Sequence, residues 1–183
     1  MKTVIFIGGT SFSGSTLLDM ILSNDPKGFS CGEVFALFRP FKRKHLVCGD
    51  DIEAPEIWQK IIKGGERHLY QTIFRLFPHV EYIVDSSKDP LWIRFQTDLL
   101  EQEGVTTRNV MIWKTPHEAA SSYHKRGRLK EFPKSWVNYH RLYLTLVNRF
   151  KSLRYNDLTS NREELEGVCH YVGIPYSDKK YDY

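Results

Sequence analysis

Short apolar runs along this chain alternate with longer segments in which apolar residues recur every three or four positions. The runs are typical of buried β-strands, and they lie at residues 4–7, 80–84, 109–113 and 153–155. The longer segments have the spacing of amphipathic helices, and they begin near residues 15, 55, 66, 90, 118, 134 and 162. Strands that alternate with helices predict a mainly parallel sheet with helices on both faces, a three-layer α/β/α fold.

The start and stop residues of the helices sharpen these boundaries. Proline opens three of the helices, at Pro55, Pro90 and Pro116, because its fixed φ suits the first helical turn. The predicted bounds are clearest for three helices, at residues 15–23, 134–150 and 162–172. Residues 25–54 contain repeated glycines and prolines, and we expect mostly loop there, with at most one helical turn.

The length of 183 residues suits one domain spanning residues 1–183. The apolar run at 4–7 is shorter than the roughly 7 to 15 residues of a signal-peptide core, and no stretch of about 18 apolar residues predicts a membrane span. Cys31, Cys48 and Cys169 are far apart and odd in number, which indicates neither a disulfide framework nor a zinc site. We therefore expect a reducing, cytoplasmic location.

The charge of the chain is mildly basic, with a formal net charge of +4. This value is too small to predict nucleic acid as a partner. The basic residues are nevertheless clustered, at 41–45 and at 124–130. Such clusters indicate either solvated faces or the rim of an anion-binding site.

The segment that joins the first predicted strand to the first helix, residues 9–16, is called the phosphate loop below. Gly9, Gly14 and Thr16 have the spacing of the Walker A motif, GxxxxGK[ST], in which backbone N–H groups and a helix N-terminus bind phosphate. Ser15 stands where that motif has the lysine that contacts β- and γ-phosphates. The loop therefore favours a single anionic group over a triphosphate. The alternative is a glycine turn with no ligand.

Four segments together resemble motifs of the sulfotransferases that use 3′-phosphoadenosine 5′-phosphosulfate (PAPS), and they occur in the family's order. They are the phosphosulfate loop at 13–18, the Asp-Ser-Ser-Lys turn at 85–88, the 3′-phosphate pair Lys114 and Ser122, and the Arg-Tyr-Asn-Asp-Leu segment at 154–158. The resemblance implies a P-loop NTPase-like α/β fold. It also implies transfer of a sulfuryl group from PAPS to a hydroxyl or amine acceptor, with 3′-phosphoadenosine 5′-phosphate (PAP) as the product.

The sequence departs from the family pattern at several positions. Phe12 stands where the family usually has arginine or lysine, and Lys114 and His117 stand where it has two arginines. Lysine keeps the charge of arginine but loses its bidentate geometry, which weakens the expected 3′-phosphate contact. Asn156 replaces the usual glutamate.

The resemblance also implies a role for each matching residue. Glu33 would take the proton of the acceptor hydroxyl, with His45 as the next candidate, and Lys88 would stabilise the leaving group. The expected PAPS-binding residues are Ser11, Ser13, Gly14, Ser15 and Thr16 at the phosphosulfate, Lys114 and Ser122 at the 3′-phosphate, and Tyr155 at the adenine. Arg126 and Arg128 are further candidates for phosphate contacts. This scheme requires no metal.

Other interpretations remain open at this stage. The alternative to a functional role is a solvent-facing position for Glu33 and Lys88 and a packing role for Tyr155. A nucleotide or nucleoside kinase is disfavoured by Ser15 and by the lack of a clear acidic strand end other than Asp85. A non-catalytic PAP-binding protein is compatible with the altered phosphate contacts. Family members usually continue past the last helix with a segment that closes the site, so we expect a truncated or lidless chain. The acceptor class and the oligomeric state are left open.

Overall fold

One parallel sheet organises the residues that the computed structural model describes, 2–39 and 55–182. Its strands are β1 Thr3–Gly8, β2 Gly28–Ser30, β3 Tyr82–Asp85, β4 Thr106–Trp113 and β5 Lys151–Arg154. Their order is β2-β3-β1-β4-β5, and each neighbouring pair is parallel. β1 is therefore central, which explains why Val4 to Ile7 are fully buried.

Helices cover both faces of this sheet. They are α1 Ser15–Ser23, α2 Pro55–Gly64, α3 Leu69–Leu76, α4 Pro90–Gln102, α5 Pro116–His124, α6 Phe132–Leu146, α7 Tyr155–Ser160 and α8 Arg162–Val172. Short 3-10 turns occur at Val34–Phe38, Glu66–His68, Leu129–Glu131 and Asp178–Tyr181. None of the helices in the described ranges has the length and apolar character needed to cross a membrane.

Alternate residues of β1 enter two separate hydrophobic cores, as the two-residue period of a strand requires. Val4 and Phe6 pack with residues of α3, α4 and α6. Ile5 and Ile7 pack with residues of α1 and α8 on the other face. The prediction of a three-layer α/β/α fold is confirmed.

Side-chain caps fix the start of α4 and α5, the helices that follow β3 and β4. Asp89 accepts hydrogen bonds from the backbone N–H groups of Leu91 and Trp92 and thereby begins α4. Thr115 and Glu118 form a reciprocal capping box at the start of α5. Both helices have proline in their first turn, as the sequence predicted.

Three local predictions were wrong. The segment expected to be loop contains β2, a strand of three residues that pairs with β3. The long helix ends at Leu146 instead of residue 150, because Val147 has an extended backbone (φ −112°, ψ 100°). Tyr155 is the first residue of α7 and not the last residue of a strand.

Candidate functional site

Three neighbouring strands end at one edge of the sheet. β1 ends at Gly8, β3 at Asp85 and β4 at Trp113, and all three run in the same direction. The phosphate loop, the Lys88 turn (residues 86–89) and Lys114 directly follow these ends. Because ligands of open α/β sheets bind at the carboxyl ends of the strands, this edge is the candidate site.

The phosphate loop leads into the N-terminus of α1 through a glycine in a left-handed conformation. Gly14 caps the helix with φ 102°, and no side chain caps it. A Cβ atom at this position would also lie 2.3 Å from Cδ2 of Tyr155. Glycine is therefore required both by the backbone and by the close tyrosine. The first N–H groups of α1, from Ser15 onward, have no carbonyl partner within the helix and can bind an anion.

The serines of the loop differ in what their hydroxyls reach. The Ser13 hydroxyl is buried and has no hydrogen-bond partner within the described ranges, and a Cβ atom at Gly9 would lie 2.4 Å from it. Ser13 therefore packs inside the loop, where its backbone N–H donates a hydrogen bond to the Thr10 carbonyl (3.2 Å). Ser15 is also buried, whereas Ser11 and Thr16 are exposed.

The two predicted catalytic residues form an ion pair. The Lys88 ammonium donates a hydrogen bond to Oε1 of Glu33, and their side chains are only 16% and 27% exposed. Glu33 is held near the Lys88 turn by its own segment. Ser86 N–H donates to the Gly32 carbonyl (3.0 Å), and Phe35 N–H donates to the Ser87 hydroxyl (3.0 Å).

The residues predicted at the 3′-phosphate also lie together, beside the phosphate loop. The Lys114 ammonium is 2.8 Å from the Phe12 carbonyl and 3.3 Å from the Ser122 hydroxyl, to both of which it donates. It also lies 4.1 Å from the centre of the Tyr155 ring, so that Tyr155 contacts both Lys114 and the loop. Partial burial and the positive charge of Arg126 lower the pKa of Lys114. A bound anion would relieve that excess of positive charge.

Phe12 has basic neighbours although it is not basic itself. The guanidinium of Arg126 lies 4.3 Å from the centre of its ring, and that of Arg128 lies 5.6 Å away. Positive charge therefore reaches this side of the loop from the segment after α5.

His117 is exposed in the first turn of α5. His45 and Cys48 lie outside the described residues.

Glu118 connects the strand ends in a way that the sequence did not reveal. One carboxylate oxygen accepts hydrogen bonds from the Thr115 backbone and hydroxyl, and the other accepts from Arg154 (2.9 Å) and Asn156 (2.6 Å). These bonds, those of Thr115 above all, lower the pKa of Glu118 to about 2. The capping-box pattern of Thr115 and Glu118 was readable in the sequence, but their link to α7 was not.

A buried carboxyl group on α1 was also missed. Ser86 donates a hydrogen bond to Oδ2 of Asp19 (2.6 Å), while Oδ1 has no partner within the described ranges. Burial raises the pKa of Asp19 to about 6 against the opposing effect of hydrogen bonds from Ser86 and Ser30. α1 therefore packs on the Lys88 turn through a titratable contact.

A further cavity lies away from these strand ends. It has a volume of about 850 Å³ and is formed by α4, the first half of β4 and residues 146–150. None of the predicted site residues that the structure describes lines it. The size of a cavity does not by itself indicate a reaction or a ligand. The charged groups that converge at the strand ends are the better guide to the functional site.

Solved structures with a similar fold include two sulfotransferase domains. That of the Synechococcus PCC 7002 olefin synthase has a TM-score of 0.69 and 19% identity over 98% of this chain and 76% of that chain. That of the curacin biosynthetic pathway has a TM-score of 0.67 and 19% identity over 98% of this chain and 77% of its own. The tunicamycin resistance protein of Deinococcus radiodurans is less similar, with a TM-score of 0.55 and 14% identity over 96% and 98%.

No protein-family model and no curated protein matches the sequence. At 19% identity, the likeness to solved structures concerns the fold. The predicted P-loop NTPase-like α/β architecture is confirmed, and this chain has the fold of the sulfotransferase domains.

Proposed function

We propose that this chain transfers a sulfuryl group from PAPS to a hydroxyl or amine acceptor. The observation that carries the proposal is the position of Lys114 and Ser122 beside the phosphate loop. This arrangement offers two anion sites, one at the N-terminus of α1 and one at Lys114. A nucleotide with phosphates at both the 3′ and 5′ positions needs two such sites, whereas a nucleoside triphosphate needs one extended site.

The proposed reaction is an in-line displacement at sulfur. The acceptor oxygen forms a new bond to sulfur while the bond from sulfur to the bridging phosphate oxygen breaks, and PAP leaves. The acceptor's proton passes to the Glu33 carboxylate, which is a general base. Charge develops on the bridging oxygen, and the Lys88 ammonium stabilises it.

The Glu33–Lys88 ion pair suggests how donor binding prepares the site. The ammonium is engaged by the carboxylate. The phosphosulfate group gives Lys88 a second anionic partner, which leaves carboxylate lone pairs of Glu33 available to the acceptor. Both side chains are mostly buried, so their interactions are less screened by water than those of a surface pair.

A nucleotide kinase is a weaker interpretation of the same fold. A kinase needs an acidic residue at a strand end to bind Mg²⁺, and the clear candidate was Asp85. This residue is 1% exposed. Its carboxylate already accepts hydrogen bonds from the Tyr70 hydroxyl (2.6 Å), the Trp92 indole (2.9 Å) and Ser87 N–H (2.7 Å). A carboxylate with this set of partners is a structural group rather than a magnesium ligand.

Binding calorimetry tests the proposed ligand. We expect PAP to bind at least about tenfold more tightly than ADP with Mg²⁺, a difference of ~1.4 kcal/mol. The Lys114→Ala variant should lose most of this preference, because its target phosphate is absent from ADP. Equal affinity for the two nucleotides, or a preference for ADP with Mg²⁺, would contradict the sulfotransferase proposal and favour a kinase.

A further inference from the structure

A tyrosine on α6 joins the phosphate loop to the turn that carries Lys88. The backbone N–H of Gly9 donates a hydrogen bond to the Tyr139 hydroxyl (2.6 Å). The same hydroxyl donates to the backbone carbonyl of Lys88 (2.7 Å). The hydroxyl therefore acts once as acceptor and once as donor, which fixes the direction of its proton.

The backbone of Lys88 is in an unusual conformation that needs such support. Its φ is 66°, in the left-handed region that residues with a side chain rarely adopt. Backbone strain of this kind persists where the surroundings hold it, and it is concentrated at functional sites. Here Tyr139 holds the carbonyl of Lys88 and Glu33 holds its ammonium. The direction of the lysine side chain thus depends on both contacts.

The Tyr139 ring is itself held in place by its neighbours. It stacks on Tyr143, one helical turn further along α6, with ring centres 5.9 Å apart and planes 25° apart. Tyr143 in turn packs against the end of β1, where a Cβ atom at Gly8 would lie 2.2 Å from its ring. Burial raises the pKa of Tyr139, so its hydroxyl keeps its proton at neutral pH and remains a donor.

We propose that Tyr139 is a positioning residue that sets the Lys88 ammonium relative to the phosphate loop. The inference rests on the proposed sulfuryl transfer, in which the ammonium must meet the bridging oxygen of a donor held by that loop. Tyr139 also occupies the N–H of Gly9. The donor's anionic group is therefore bound by later N–H groups of the loop, those at the start of α1.

The chain offers a matched control for removal of this hydroxyl. Tyr143 is the same residue type on the same helix and is fully buried, but its hydroxyl has no hydrogen-bond partner within the described ranges. Tyr139→Phe removes two hydrogen bonds at the site, whereas Tyr143→Phe removes none. Both variants keep the aromatic packing.

The first measurement is lysine side-chain NMR on the full chain without ligand. The Lys88 signal is assigned by its loss in Lys88→Ala. We expect Tyr139→Phe to shift this signal and Tyr143→Phe to leave it unchanged. A Lys88 signal that is the same in Tyr139→Phe and wild type would overturn the proposal. This comparison needs no donor, so it decides the role of Tyr139 even if wild type fails to bind PAP and the proposed function is wrong.

The second measurement separates positioning from general stability. A misplacement of about 1 Å costs about 10²-fold in rate, so Tyr139→Phe should lower kcat by about 10- to 100-fold and change the Kd of PAP by less than about threefold. In a Lys88→Ala background, Tyr139→Phe should have no further effect on kcat, because the group that it positions is gone. An equal loss of rate in both backgrounds would mean that Tyr139 does not act through Lys88.

Discussion

In the proposed reaction, the Glu33–Lys88 ion pair and Lys114 would act on different parts of the donor and acceptor. The proposed role of Lys88 is to stabilise charge that appears only as the bridging bond breaks. The proposed role of Lys114 is to bind a phosphate that is charged throughout the reaction. At the scale of single residues, substitutions should therefore divide into those that change rate and those that change donor affinity.

Glu33→Gln should lower the transfer rate by about 10²- to 10⁴-fold, the usual loss for a general base, with PAP affinity nearly unchanged. Lys88→Ala should also lower the rate more than it weakens binding, and Lys114→Ala should mainly weaken PAP binding. Steady-state kinetics with an accepted substrate, or the slow hydrolysis of PAPS, combined with calorimetry measures both effects. Lys63→Ala, an exposed lysine on α2, is the control.

Two outcomes would change this assignment. If Glu33→Gln transfers sulfate at the wild-type rate, the base lies elsewhere, and His45 is the next candidate. If wild type binds PAP well but no acceptor gives turnover, the protein is a non-catalytic PAP-binding protein with a sulfotransferase fold. The binding prediction for Lys114→Ala holds in either case.

At the scale of helices and strands, the sequence predicted the long periodic elements well. α1 and α8 have the predicted bounds, because each has a clear apolar stripe and a clear end, which is Gly173 in the case of α8. β2 was missed because its three residues, Gly28 to Ser30, give no periodic signal and form a strand through pairing with β3. The end of α6 was missed because the apolar spacing continues through Val147 while the backbone turns extended.

The candidate site was predictable where a motif fixes its own geometry. The phosphate loop follows from a strand–turn–helix pattern and the Lys114–Ser122 pair follows from the family resemblance, and the structure brings them together. Contacts that depend on tertiary packing gave no sequence signal. Tyr139 lies within a helix that the sequence predicted, but nothing in the pattern indicated that its hydroxyl reaches Gly9 and Lys88. Asp19 likewise lies in a helix whose apolar residues dominated the pattern.

The contact between α1 and the Lys88 turn should make stability depend on pH. The folded-state pKa of Asp19 is raised from 3.8 to about 6, so the folded protein binds an extra proton between these values. Stability is therefore higher at low pH and is lost as pH rises through about 6. The wild type should lose about 2 kcal/mol of unfolding free energy from this group between pH 4 and pH 7.

Asp19→Asn removes this titration. Chemical denaturation should show that the stability of the variant relative to wild type increases with pH over the same range. Ser86→Ala is the control, because it removes a hydrogen bond that lowers the pKa of Asp19 but keeps the carboxyl group. Its pH-dependent loss should therefore extend to higher pH. A constant difference between wild type and Asp19→Asn from pH 4 to pH 7 would show that Asp19 does not titrate there.

At the scale of the whole molecule, the donor site joins elements from both layers of helices. α1 and α7 lie with the core on one face of the sheet, and α6, which supplies Tyr139, packs on the other. β1 separates the two cores and leads directly into the phosphate loop. A ligand at the strand ends therefore contacts segments whose positions depend on the packing of both faces, and it should stabilise the fold as a unit.

PAP should accordingly raise the melting temperature of the full chain. At a PAP concentration of 100 times Kd, binding to the folded state alone adds about 2.7 kcal/mol to the unfolding free energy. For a domain of this size that corresponds to a rise in Tm of roughly 5–10 °C.

Adenosine 5′-monophosphate, which lacks the 3′-phosphate, should give a much smaller rise at the same concentration, because it leaves Lys114 and Ser122 without their anion. The Lys114→Ala variant, if its affinity for PAP falls about tenfold, should retain about half of the wild-type rise. Differential scanning calorimetry measures all three, and an equal rise with both nucleotides would mean that Lys114 and Ser122 do not bind a 3′-phosphate.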